Sequence, residues 1–151
     1  MTQSEKLIVG WREWVALPAL AIPAIKAKVD TGARTSALHA FLLEPFWAHG
    51  VRKVRFGIHP LQKRTDLAII CVAKVVDQRI VTDSGGHREQ RYVIETPIRL
   101  DTAEWLVEVT LTNREEMRFR MLLGRTALDQ RMIVDPALSY QTGRALARSY
   151  D

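Results

Sequence analysis

The sequence predicts an all-β fold, and three observations indicate it. Apolar and polar side chains alternate with a period of two in several short segments, which is the pattern of strands with one solvated face. Glycine, proline and polar turn residues separate these segments at short intervals. Helix is nearly confined to residues 126–131. Many short strands without a layer of helices favour a sheet that closes into a barrel.

The length and the cysteine content indicate one domain without disulfides. A chain of 151 residues can bury about two-thirds of its unfolded surface. We expect a single domain over residues 1–151, with a core at 6–135 and a loosely held tail at 136–151. The single cysteine, Cys71, lies in an apolar run, which is typical of a small buried hydrophobic residue rather than a nucleophile.

The amino terminus and the apolar tracts predict a cytoplasmic protein without membrane contact. The first residues lack the basic region and long apolar run of a signal peptide. The longest apolar tract, from Trp14 to Ile25, is interrupted by Pro18 and Pro23 and is too short to cross a bilayer.

The charge of the chain predicts an acidic partner. The net charge is +5, and 16 Arg with 6 Lys make up the 22 basic residues. Arginine presents a planar fork that suits carboxylates and phosphates. The basic residues are interspersed with Asp and Glu rather than gathered in an aromatic-rich strip. We therefore expect no nucleic acid, and an acidic peptide as the partner.

The strand before Asp30 is the clearest element of the first half. Residues 7–9 and 14–17 are two short apolar pieces on either side of a turn. The next strand has an apolar face and a basic face, formed by Ile25, Ala27 and Val29 and by Lys26 and Lys28, respectively. It delivers Asp30 to its end, where Gly32 allows a tight bend, and alternation resumes over residues 35–40.

The central region is predicted as loops and strands of an antiparallel sheet. Residues 41–50 are expected to form a loop around Pro45, and residues 51–59 a strand with one wet side. A polar turn at 60–66 precedes a buried strand at 67–76.

The later strands include a hairpin with a Gly-Gly turn. Residues 79–83 and 88–94 flank Ser84, Gly85 and Gly86, a turn that fits either a mobile lid or an ordinary surface hairpin. Residues 97–111 and 117–123 are predicted to be adjacent antiparallel strands.

The Asp-Thr-Gly-Ala turn at residues 30–33, with Leu122, Leu123 and Gly124 downstream, resembles the retropepsin-like aspartic proteases. The resemblance implies a closed β-barrel with one short helix after the Leu-Leu-Gly strand. It implies that Asp30 is catalytic and that the hairpin at 79–94 is a flap. The residues that it implies support the catalytic loop are Thr31, Gly32, Ala33, Leu122, Leu123 and Gly124.

A closer resemblance covers most of the chain. Residues 10–14, 26–40, 89–94 and 121–125 are similar to small bacterial proteins labelled ATP-dependent zinc proteases, a group associated with ribosomal-protein glutamate ligases of the ATP-grasp type. This implies a functional link to such a ligase. The motifs disagree with the label, because the chain has neither a His-Glu-x-x-His pattern nor a Gly-rich phosphate loop. We expect no metal and no cofactor.

The single Asp-Thr-Gly predicts a homodimer. Aspartic proteolysis requires two carboxylates about 3 Å apart that share a proton. One chain supplies one such aspartate, so a symmetric partner must supply the second. The expected activity is that of an aspartic endopeptidase. The alternative is a non-catalytic module of the same fold that binds a peptide or a partner protein.

One position departs from the pattern of the retroviral relatives. These usually have an acidic residue after Asp-Thr-Gly-Ala, which pairs with the arginine after the hydrophobic-hydrophobic-Gly. Here that position is Arg34, which cannot pair with Arg125 in this way. Arg34 is instead free to hold an acidic substrate side chain. The expected substrate-binding residues are Arg34, Ser84, Gly85, Gly86 and Arg125.

Overall fold

The computed structural model describes residues 6–82, 85–113 and 118–151, and this part of the chain is almost entirely β-sheet. It contains one α-helix, α1 (Arg125–Leu128), and short 3-10 turns at Pro18–Leu20 and Arg144–Arg148. The all-β prediction, with one short helix after the Leu-Leu-Gly strand, is confirmed. The strands are β1 (Leu7–Val9), β2 (Arg12–Leu17), β3 (Ile22–Val29), β4 (Ser36–His39), β5 (Leu42–Ala48), β6 (Val51–Ile58), β7 (Ile69–Lys74), β8 (Asp77–Thr82), β9 (Arg88–Leu100), β10 (Ala103–Thr112), β11 (Met121–Leu123) and β12 (Met132–Val134).

The largest sheet has seven strands in the order β10-β4-β11-β3-β2-β9-β8. Strand β9 also pairs with β10, so the first six strands in this order are paired in a continuous ring. The contact between β2 and β9 that completes this ring has one registered pair, Ala16 with Arg99.

Strand β11 lies between β3 and β4. It runs parallel to β3, with Leu123 opposite Val29, and antiparallel to β4, with Leu122 opposite Ala37. The prediction that residues 97–111 and 117–123 form adjacent strands is therefore wrong, since β4 separates β10 from β11. Alternation identifies a strand but not its neighbour, and here the neighbour comes from more than 70 residues earlier in the chain.

Strands β5, β6 and β7 form a separate antiparallel sheet, and two predictions fail in it. Residues 41–50 are not a loop, because β5 pairs with β6 along its length. Pro45 is tolerated because β5 is an edge strand, where a missing N–H costs no ladder hydrogen bond. Strand β7 is not a buried strand, because Ile70 and Val72 are 47% and 51% exposed.

The core fills the interior of the main sheet and reaches the inner face of β5–β7. Alternate residues of β3, β9, β10 and β11 point inward, as the period of two requires, and all four residues of β4 are buried. The largest side chains with at most 2% exposure are Phe56, Leu17, Ile22, Ile25, Leu38, Ile58, Ile94, Ile98, Leu100, Leu111, Met121 and Leu123.

The C-terminal residues are attached to the sheet through Glu13. This carboxylate is fully buried and accepts hydrogen bonds from the backbone N–H groups of Gly10, Gln141 and Thr142 at 2.7, 2.9 and 2.8 Å. The Tyr150 hydroxyl donates to the Ala24 carbonyl of β3. Within residues 6–82, 85–113 and 118–151, no helix has the length and apolar character to cross a membrane.

Candidate active site

Asp30 follows the last residue of β3 and begins a tight turn. Its backbone N–H donates to the Leu123 carbonyl at 2.9 Å, which continues the β3–β11 pairing by one residue. Its Oδ1 accepts a hydrogen bond from the Gly32 N–H at 2.9 Å, and the Ala33 N–H donates to the Asp30 carbonyl at 3.3 Å. The carboxylate is therefore fixed by its own turn, an arrangement that short Asp side chains commonly form.

At Gly124, directly after β11, a side chain would clash with the neighbouring backbone. A Cβ on Gly124 would lie 2.5 and 2.7 Å from the carbonyl carbon and oxygen of Thr35, and 2.9 Å from the Ser36 nitrogen. The Gly124 N–H donates to Ser36 Oγ at 3.1 Å. The backbone that follows the Leu-Leu-Gly strand thus contacts the chain that leaves the Asp30 turn.

Leu122 and Leu123 face opposite sides of β11. Leu123 is fully buried in the core, below the Asp30 turn. Leu122 is half-buried and lies opposite Lys28 on one side and Ala37 on the other. Leu122 therefore belongs to the outer face of the sheet, the face on which Lys28 is exposed.

Arg125 holds the Asp30 turn through main-chain oxygens. Its Nη1 donates to the carbonyls of Thr31 and Gly32 at 3.0 and 3.3 Å. Its backbone N–H donates to the Ala33 carbonyl at 2.7 Å. Arg34 occupies the position usually taken by an acid, and the Arg125 guanidinium bonds instead to main-chain oxygens of the turn. The start of α1 and the Asp30 turn are thereby joined within one chain.

An open depression of about 560 Å³ lies beside the Asp30 turn. Thr31, Arg34 and Arg125 contribute to its wall, together with residues of β12 and Lys6. The structure therefore brings Arg34 and Arg125, both expected to bind substrate, to one basic rim. This rim suits a carboxylate because Arg34 and Lys6 are exposed there.

The glycine turn lies at the tip of a different hairpin. Strands β8 and β9 pair antiparallel from Asp77–Val93 to Thr82–Arg88, which confirms the predicted hairpin. Gly85 and Gly86 are exposed, and Gly86 has a φ of +84°, a conformation that favours glycine. The predicted residue Ser84 lies outside the described residues. In the sheet order, β2 and β9 lie between β3 and the outer strand β8 of this hairpin.

The sequence did not reveal Ser36 as part of the site. Ser36 is fully buried, its Oγ accepts from Gly124, and its carbonyl accepts from Thr110 Oγ1 at 3.3 Å. The sequence feature that could have indicated Ser36 is a hydroxyl six residues after the aspartate, at the start of an otherwise apolar strand. Its partner is remote in sequence, so the pattern alone could not assign a role.

Other reactive groups lie away from the turn. Burial raises the pKa of the Cys71 thiol to about 11, which keeps it protonated and unreactive. Burial, and then the charge of Arg120, lower the pKa of His59. Across the described ranges, no three His, Cys, Asp or Glu side chains come together in a way that could hold a metal ion.

An Asp-Thr-Gly turn at a strand end, crossed by a hydrophobic-hydrophobic-Gly strand inside a ring of β-strands, defines the retropepsin-like class of proteins. Residues 8–145 match a family model, RimB-like, described as the retropepsin-like aspartic endopeptidase RimB. The chain belongs to this RimB-like family.

Longer relatives bear a different name. A protein of Shewanella pealeana named "Probable alpha-L-glutamate ligase" is 49% identical over 138 residues, which are 91% of this chain and 30% of that protein. A protein of the same name from Desulfotalea psychrophila is 45% identical over 144 residues, 95% of this chain and 31% of its own length. This chain thus spans about 30% of the length of these relatives.

A solved structure has the same fold. The crystal structure of a Legionella pneumophila protein of unknown function superposes with a TM-score of 0.74 at 27% identity. The match covers 91% of this chain and 98% of that protein.

Proposed function

We propose that this protein is an aspartic endopeptidase that acts as a homodimer, with one Asp30 from each chain. The observation that carries the proposal is the fixed Asp30 turn. One carboxylate oxygen accepts from Gly32, while Oδ2 accepts no hydrogen bond from the residues that the structure describes. That oxygen is available to a second carboxylate and to water.

The chemistry follows from two such carboxylates at the two-fold axis. Two carboxylates about 3 Å apart cannot both ionise, so they share one proton. The neutral carboxyl donates a hydrogen bond to the scissile carbonyl, and the ionised one takes a proton from the attacking water. Addition of water to the carbonyl gives a tetrahedral diol, whose two oxygens lie between the two Asp30 residues. Its C–N bond then breaks, and the amine leaves with the proton that Asp30 returns. No covalent intermediate forms on the protein.

The loop residues have supporting roles in this proposal. Thr31 fixes the turn by hydrogen bonding across the axis, and Gly32 allows the two turns to meet. A side chain at Gly32 would place its Cβ 3.2 Å from Asp30 Oδ1, which is tighter than an ordinary contact. Ala33 lies at the edge of the substrate, and Arg125 keeps the turn in shape.

The surface beside the site can accept a second copy. Strands β1 and β12 form a two-stranded parallel sheet that pairs with no other strand of the described residues. On it, Ile8 and Ile133 are directly opposite each other and are 55% and 53% exposed. Met132 and Val134 of β12 also line the depression next to Thr31. Burial of this apolar pair in a dimer would contribute favourable free energy.

We propose that the substrates are acidic or glutamate-bearing peptides, bound in extended form between the Asp30 turns and the β8–β9 hairpins. The basic rim at Arg34 and Arg125 supports this. The name that the longer relatives bear, a probable glutamate ligase, supports a functional link to such a ligase, whose products would carry added glutamates.

The test is the substitution Asp30→Asn, assayed for cleavage of a glutamate-rich peptide library by mass spectrometry. We expect wild-type cleavage and its loss in the variant, with an unchanged circular dichroism spectrum. Cleavage that persists in Asp30→Asn would overturn the assignment. A protein that binds the peptides as a stable monomer and never cleaves them would instead be a binding module of the same fold.

A further inference from the structure

Basic side chains occupy the same face of β3 as Asp30. Ile25, Ala27 and Val29 are buried in the core, so the alternate side chains point to the outer face. These are Lys26, Lys28 and, one residue past the strand, Asp30. Lys28 is exposed and lies two residues from Asp30, which is about 7 Å along an extended strand.

The neighbouring strand adds a like charge directly opposite. In the β2–β3 register, Arg12 is the partner of Lys28, and Trp14 is the partner of Lys26. Like charges in directly opposed positions destabilise a sheet. No ion pair or hydrogen bond to an acidic side chain is formed by Arg12, Lys26 or Lys28 with any residue that the structure describes. The sheet therefore carries an uncompensated positive charge beside the proposed catalytic carboxylate.

Aromatic rings hold two of these cations in place. The guanidinium carbon of Arg12 is 4.5 and 4.8 Å from the ring centroids of Trp11 and Tyr140, and its Nε donates to Ser139 Oγ at 3.3 Å. Lys26 Nζ is 5.3 Å from the Trp14 ring centroid. A cation fixed in this way loses little conformational entropy on binding an anion.

We propose that Arg12, Lys26 and Lys28 form a carboxylate-binding subsite that holds an acidic side chain of the peptide next to the scissile bond. The existence of this basic subsite depends on the proposed function. In it, residues outside the Asp30 turn select the substrate. Side chains on one side of an extended peptide repeat about every 7 Å, which matches the spacing of Lys26, Lys28 and Asp30 along β3. A peptide aligned with β3 can therefore place one carboxylate at Lys28 while its backbone reaches Asp30.

The same residues do not suit single-stranded nucleic acid. Stacking platforms need free aromatic faces for the bases. Here the rings of Trp11 and Tyr140 are covered by Arg12, and Trp14 is buried at 7% exposure. The observations favour an acidic peptide.

Direct binding tests the subsite without requiring catalysis. Asp30→Asn protein is titrated by fluorescence anisotropy with a labelled alternating Glu-Ala peptide and with the matched Gln-Ala peptide. In the same background, Lys28→Met should weaken binding of the Glu-Ala peptide about fivefold and leave the Gln-Ala peptide unchanged. Lys28→Arg should restore most of the affinity. Because Lys28 is exposed, these variants are expected to fold.

Lys74→Met is the matched control, since it removes the same charge from an exposed position on β7. The basic subsite is overturned if Lys28→Met and Lys74→Met have equal effects, or if both peptides weaken alike. It is also overturned if a single-stranded RNA oligonucleotide binds more tightly than the Glu-Ala peptide. A protein that shows the predicted binding but never cleaves would refute the proposed catalysis and retain the subsite.

Discussion

The Asp30 turn and the β8–β9 hairpin are both glycine-containing bends between strands, but they are held very differently. The Asp30 turn is bonded to Leu123 and to Arg125 through main-chain groups, and the chain that leaves it, at Thr35 and Ser36, packs against Gly124. Strand β8 is the edge of its sheet, and most of its residues are exposed. Nothing would lie within 4 Å of a Cβ at Gly86.

In the proposed endopeptidase, the two bends would have different tasks. A residue that performs chemistry must be held within a fraction of an ångström, which requires buried contacts from several strands. A segment that admits and releases substrate must open at low cost, so it belongs to a region with few buried contacts. Close packing of the turn and an open hairpin are what an endopeptidase of this fold needs.

The largest expected effect is at Gly124. Gly124→Ala forces a Cβ against backbone atoms of Thr35 and Ser36, which cannot move without displacing β4. We expect the free energy of unfolding to fall by about 3 kcal/mol. Urea unfolding followed by circular dichroism measures this. Gly86→Ala is the matched control in the hairpin, where only the positive φ costs about 1 kcal/mol. Equal losses would show that the turn is not tightly packed.

A smaller loss is expected at Ser36. Ser36→Ala leaves the buried N–H of Gly124 without its acceptor, which should lower the free energy of unfolding by about 1–2 kcal/mol. Thermal unfolding measures the change. Ser149→Ala, at an exposed position, should change it by less than about 0.5 kcal/mol. A Ser36→Ala protein as stable as the wild type would contradict the role given to this hydroxyl.

A substitution at Arg125 should lower the activity more than the stability. Arg125→Met removes the two hydrogen bonds to the carbonyls of Thr31 and Gly32. The side chain is on the surface, so we expect the free energy of unfolding to change by less than about 1 kcal/mol. Misplacement of the turn should still lower kcat for peptide cleavage about tenfold, with a smaller change in KM. An unchanged kcat would mean that the rest of the chain fixes the turn without Arg125.

The smallest effect is expected on the hairpin. Ile80 is 60% exposed on the edge strand β8, so Ile80→Thr should change the free energy of unfolding by less than about 0.5 kcal/mol. In hydrogen exchange, the amides of β8 should exchange much faster than those of Asp30 and Leu123. Equal protection of the β8 amides and of the Asp30 and Leu123 amides would contradict the difference in packing between the hairpin and the turn.

The sequence predicted the local elements well because these depend on patterns within a few residues. The alternation around Val29 and the glycines at 32 and 124 were sufficient to place the turn and the strand that crosses it. The Gly-Gly hairpin was equally clear. The short helix followed from the resemblance, and the structure ends it at Leu128, earlier than expected.

The failures concern which strands are neighbours. Strand β4 enters between β10 and β11 because the register that buries the most apolar surface is decided by remote segments. Ser36 was missed for the same reason. Its function depends on Gly124, which is 88 residues away in the chain. The failure at Pro45 is local, because proline indicated a loop where an edge strand, β5, pairs with the next strand of the chain.

Mixing two kinds of chain tests most directly whether each active site takes one Asp30 from each protomer. Wild-type protein is incubated with about a tenfold excess of Asp30→Asn protein, and peptide cleavage is measured after exchange of subunits. If the chains pair at random, about one in eleven wild-type chains retains a wild-type partner, so activity should fall to about a tenth. The same excess of albumin should have no effect. Full activity in the presence of exchanged Asp30→Asn chains would contradict a shared active site.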